Sequence, residues 1–204
     1  ADYTAFPAGV DLATNMYVVP AMFTRSWLTD SYPESLMYED WQRQFPGRLM
    51  SMWIYPCFPV ETATSQGFNC FPCFEGHALA KDFKRFAADR VKGFMPCGAY
   101  ELVEYWLYGK LTDDAGQDVD ALLNEFFTRF YGAAAEPMKQ LYLAIEATYW
   151  NPTNYPNGQQ NSAEAIAWDN LGTAERMTAW QALVDAAGAA AATDADKARV
   201  ALFR

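Results

Sequence analysis

Between Val91 and Gly132 a short apolar segment (VKGFMPCG) leads into an aromatic run of helix length (AYELVEYWLYGKL), an acidic turn (TDDAGQD) and a second helical run (VDALLNEFFTRFYG). This order constrains the chain more than any other feature, because a strand joined to amphipathic helices must pack in layers with them. The second run carries the plainest periodicity. Its Val119, Leu122, Leu123, Phe126, Phe127 and Phe130 recur at helical spacing and predict one buried face, with Asp118 as N-cap and Gly132 as terminator. Another helix is expected from Pro137, with Met138, Leu141, Tyr142, Ile145 and Tyr149 inward.

Upstream, Met16 to Phe23 and Leu49 to Phe58 are apolar runs of strand length, Val91 to Cys97 is a third, and Ala1 to Phe6 reads as the tail of another. None alternates between polar and apolar residues, as expected of strands buried on both faces. Helical patterns lie between them, at Tyr32 to Phe45 (Leu36, Met37, Trp41) and Glu75 to Asp89 (Leu79, Phe83, Phe86). Strand alternating with helix predicts right-handed crossovers and a parallel α/β sheet, with the chain all helical after Gly98. The polar loop Asn151 to Asn161 marks a boundary, beyond which two helices, Ala163 to Asp185 and Asp194 to Phe203, flank an Ala-rich segment with little to bury. That tail is expected to be the least stable part.

Acidic side chains outnumber basic ones, 25 to 15, and the charge is spread along the chain, so a phosphate backbone is repelled and nucleic acid is not an expected partner. No apolar run approaches the roughly 20 residues that span a bilayer, so no membrane partner is expected. Aromatics reach 16% of the residues, which suits either flat-faced ligands such as sugars or a large aromatic core. The start, ADYTAFPAG, has neither an initiator Met nor a leader pattern, and the last helix stops while Ala198, Ala201 and Leu202 still keep its apolar spacing. A fragment cut at both ends is expected, with the remainder of the polypeptide, N-terminal to Ala1, as a partner.

The run from Gly47 to about Tyr149, with WIYPCF, VKGFM, YWLYGKL, DVDALLNEFF and RFYGAAAEPM in that order, resembles the C-terminal part of the bacterial family called domain of unknown function 4838. That family is similar to α-glucuronidases and, more distantly, to β-hexosaminidases. The α-glucuronidases have a corresponding aromatic helix ending in Gly, a basic residue and Leu before an acidic turn, here Tyr108-Gly109-Lys110-Leu111 and Thr112-Asp113-Asp114. The resemblance implies the last three or four parallel strands of a TIM (β/α)8 barrel followed by an all-helical segment. On that basis 1–112 forms the barrel part, 113–150 its closing helices and 151–204 a loop and helical tail. It also implies a secreted or periplasmic protein, and a glycoside hydrolase acting on a glycan, including one with an acidic sugar, by carboxylate acid and base catalysis. The isolated fragment is expected to be inactive.

Active sites of such barrels lie at the carboxyl ends of the strands. That rule selects Arg25 and Trp27 after the first strand, Trp53, Tyr55, Glu61 and Glu75 after the second, and Tyr100, Glu101 and Glu104 after the third. Glycoside hydrolysis uses two carboxyl groups, roughly 5 Å apart for retention and about 6.5–9.5 Å for inversion. Glu101 is the first candidate, then Glu75 and Glu61; the competing reading is a solvated acid favoured by a helix N-terminus. Trp53 and Tyr55 share one strand face and would stack on a sugar, or pack as interior aromatics. Arg25 suits a sugar carboxylate or a structural ion pair. Trp27 and Tyr100 join the substrate-binding set by position. His77, the one histidine, suits a substrate hydroxyl, or a helix-capping or solvent-exposed role.

Cys70 and Cys73 form a Cys-x-x-Cys, while Cys57 and Cys97 end two strands. Four thiolates gathered at one rim suit structural zinc, two disulfides suit an oxidising compartment, and free buried thiols suit neither. No cofactor is expected, with zinc the minor alternative. Two other functional readings stay open: a carbohydrate-binding module without turnover, and a cysteine-stapled structural or interaction domain.

Overall fold

In a computed structural model of the chain the described residues are 9, 13, 15–22, 34–44, 47, 49–54, 63–97, 101–155 and 162–203. Three short strands, β1 (Ala21–Met22), β2 (Met52–Ile54) and β3 (Phe94–Pro96), pair in parallel in the order β1-β2-β3. Ala21 and Met95 both register against Trp53, and a single bridge joins Val18 to Met50. Among the described residues seven longer helices follow the order α1 (Glu34–Gln44), α2 (Gly76–Ala88), α3 (Leu102–Asp113), α4 (Val119–Tyr131), α5 (Ala135–Tyr149), α6 (Ala174–Ala190) and α7 (Asp194–Ala201). A short helical segment Ala163–Ala165 runs on as a π-helical stretch, Ile166–Leu171.

The expected portion of a TIM (β/α)8 barrel is therefore corrected. The described residues are mostly helical, and their strands amount to a ribbon of two or three residues each. The physical reason is that an apolar run dictates burial without dictating ladder length. Pro96, the last residue of β3, has no N–H to give a further strand, while Cys97 beyond it still donates to the Ile54 carbonyl of β2 at 2.7 Å. The expected segment Ala1 to Phe6 lies outside the described residues.

The core is aromatic and continuous. Phe83 of α2 packs on Phe94 of β3, with ring centroids 4.5 Å apart, and on Tyr108 of α3 at 5.7 Å, so one ring joins ribbon and two helices. In α4, Leu122, Leu123, Phe127 and Tyr131 are buried, while Val119, Phe126 and Phe130 are half-covered at the edge of the same stripe. Asp118 caps this helix, accepting from the N–H groups of Asp120 and Ala121, and Gly132 ends it at φ +54°. In α5 all five residues expected inward, Met138, Leu141, Tyr142, Ile145 and Tyr149, are buried. Tyr38 of α1 is fully buried and donates to Asp89, a contact that the apolar spacing did not reveal.

The tail buries more than its composition suggests. Helix α6 runs through the Ala-rich stretch to Ala190, and Trp180, Val184, Ala187 and Ala191 join the same core as the preceding helices. Phe71, fully buried, touches Trp168 at 6.2 Å and Trp180 at 5.7 Å, and the Trp168 indole donates to the Asn69 carbonyl at 2.8 Å. Small residues let helices approach closely, which is how an alanine run contributes here. At the other end Arg199 donates to the Phe130 carbonyl at 2.6 Å and lies over the Phe130 ring, so α7 covers the end of α4.

Candidate functional site

Four charged side chains are buried among the described residues: Glu75, Glu104, Glu146 and Asp196. Asp196 is accounted for by the capping box that it forms with Thr193 at the start of α7. Glu75 immediately precedes α2, Glu104 lies in the first turn of α3, and Glu146 on α5 bonds to the first turn of α2 through His77. Gly76 marks the closeness of α2 to α3, since a Cβ there would lie 2.6 Å from the Phe74 ring and 3.3 Å from Leu107. Buried carboxylates are costly unless partnered, and that cost makes each of them a candidate for a functional role.

Glu75 and Glu101 occupy the N-cap positions of α2 and α3, yet neither side chain caps its helix. A non-local cap replaces the first: the His77 backbone N–H, one of the donors that a helix start leaves unpaired, donates to Glu146 Oε1 of α5 at 2.7 Å. Glu101 is instead held from α5. The Tyr142 hydroxyl donates to its Oε2 at 2.8 Å, and Tyr131 of α4 bonds to Tyr142 in turn. Tyr142 packs edge-on against Phe74 at 5.4 Å and Phe127 at 5.2 Å. Burial, then the neighbouring Glu101 charge, raises the Tyr142 pKa far above the phenol range, so this hydroxyl keeps its proton and remains a donor. The same burial raises Tyr131.

The imidazole of His77 lies between two acids, Nδ1 at 2.6 Å from Glu146 and Nε2 at 3.3 Å from Asp120. Both nitrogens are occupied, so the ring links α2, α4 and α5 and has no nitrogen left to offer a substrate hydroxyl. Of the described candidates, Glu75 and His77 lie at the start of α2, and Glu101 is bonded by Tyr142 from α5, the helix that also carries the Glu146 partner of His77. Trp53 sits apart, half-buried within the ribbon. Arg25, Trp27, Tyr55, Glu61 and Tyr100 lie outside the described residues, as does Cys57. Among the remaining thiols, Cys70 donates to the Phe71 carbonyl, Cys73 is buried, and Cys97 is half-buried. No group of three or more metal-ligating side chains is assembled among the described residues.

Sequence reasoning missed Glu146, Asp120, Tyr131 and Tyr142 as site residues. A signal for one was present, because Glu146 falls on the apolar stripe of α5, four residues after Tyr142 and three before Tyr149. An acid at a core position of an otherwise apolar face is a buried charge that needs a partner. No family model, no curated protein and no solved structure matches this chain.

Proposed function

We propose that the chain belongs to a protein that acts on the glycosidic bond of a glycan, including one with an acidic sugar, with Glu101 as a working carboxylate. The observation that carries this reading is the bond from Tyr142 to Glu101. It fixes one oxygen of a half-exposed carboxylate from a buried, rigid phenol, and a catalytic group is useful only when held in one geometry. Acid at a helix start is commonplace, but here the side chain leaves its capping position to take that bond. Glu75, nearly fully buried at the N-cap of α2, is the second carboxyl assigned to the reaction. One group protonates the leaving oxygen while the other either attacks the anomeric carbon or activates water, depending on their separation. No cofactor enters this scheme.

The test uses the longest natural polypeptide that carries these residues, assayed on a panel of 4-nitrophenyl glycosides that includes the glucuronide. Glu101→Gln is expected to lower turnover roughly 100- to 10,000-fold while leaving oligosaccharide affinity within about tenfold. Unchanged turnover removes Glu101 from the chemistry. Affinity without turnover in the parent itself would replace this reading with that of a binding module.

A further inference from the structure

His77 is the only histidine in the chain, and each of its ring nitrogens faces a carboxylate. A neutral imidazole carries one N–H and one lone pair, so in that form one of its two acids meets a lone pair. Only the imidazolium satisfies both. The two arms are unequal. Glu146, with 9% of its side chain exposed, bonds to Nδ1 at 2.6 Å and also accepts the His77 backbone N–H. Asp120, 72% exposed on the first turn of α4, reaches Nε2 at 3.3 Å.

We propose that His77 is a proton-operated clasp: charged, it ties the first turn of α4 to α2 and α5, and neutral, it keeps Glu146 and releases Asp120. The release is directional because the buried, doubly held Glu146 has nowhere to move, whereas the exposed Asp120 can turn to water. Helix α4 itself survives, since Asp118 still caps it. Burial, the largest influence on the ring, pulls its pKa down, but the Glu146 bond and charge, followed by those of Asp120, outweigh it and leave the pKa raised above 6.5. The ionisable groups that face the ring are Glu146 from α5 and Asp120 from α4; near these three residues in sequence lie Glu75 before α2, Lys81 on α2, Asp118 before α4 and Tyr142 on α5. The clasp stands independently of the glycan reading.

A single histidine makes the test direct, since the NMR spectrum of the full chain contains one imidazole. Its midpoint is expected above 6.5, and the amide signals of Asp120, Ala121 and Leu122 are expected to shift with that same midpoint. Asp120→Asn, a change at an exposed side chain, should lower the midpoint and abolish the linked amide shift. Glu146→Gln should lower it further; if that variant does not fold, Asp120→Asn decides alone. A native midpoint at or below 6.5, α4 amides that do not follow it, or an Asp120→Asn midpoint equal to the parent's overturns the proposal.

Discussion

Replacing Gly132 by alanine probes the joint between α4, α5 and α7. Gly132 has φ +54° and ψ −122°, a conformation that side-chain-bearing residues avoid, and holding alanine there costs about 1–3 kcal/mol. A second effect adds to it. The new Cβ would stand 2.7 Å from Asp196 Oδ1, and Asp196 cannot retreat without losing the capping box that starts α7. We therefore expect Gly132→Ala to destabilise by the upper part of that range or more. At about 2–4 °C per kcal/mol for a chain of this size, the midpoint should fall by roughly 5–12 °C. Urea titration followed by circular dichroism measures the loss, and the same substitution made in an Asp196→Ala background separates strain from collision. Part of the cost should disappear there, leaving the backbone strain. A loss under about 0.5 kcal/mol in the parent would refute the assigned backbone geometry, since surface substitutions alone span that much.

Three further outcomes follow from named contacts. Phe83→Ala, which empties the contact between β3, α2 and α3, should cost about 3–5 kcal/mol in the same titration; a loss below about 1 kcal/mol would mean that the ribbon does not rest on α2. Asp118→Ala removes the α4 cap and should cost about 0.5–2 kcal/mol, whereas Asp118→Asn should cost much less; equal losses would show that the cap bonds are not the cause. The native pKa of His77 is raised, so its stabilisation is complete below 6.5 and is lost as pH rises through the higher native value. Stability measured from pH 5 to 9 should decline through that window in the parent and lose this component in His77→Gln; identical profiles would contradict the ion pairs.

The helices were legible where periodicity and end signals agreed. Asp118, the stripe from Leu122 to Phe130 and Gly132 define α4 in the sequence as they do in the structure, because cap, face and stop are all local properties. The strands were legible only as buried segments. Their apolar runs are as long as barrel strands, but the paired stretches of β1, β2 and β3 are two or three residues, and pairing length is decided by neighbours that one segment does not encode. Glu75 and Glu101 were singled out as candidates because they follow strand-like runs. The partner of Glu101 was not legible, since Tyr142 comes from a helix more than 40 residues later. Non-local partners leave a trace only when a polar residue interrupts an apolar stripe, as Glu146 does.

The claim on which the candidate site rests is that the Tyr142 phenol holds the Glu101 carboxylate, and a double-mutant cycle of Tyr142→Phe and Glu101→Gln measures that bond. A charged hydrogen bond contributes about 1.5–3 kcal/mol, and the partial exposure of Glu101 reduces the expected coupling to about 1 kcal/mol. A coupling near that value supports the geometry. Additive losses, with coupling within about 0.3 kcal/mol of zero, would contradict it.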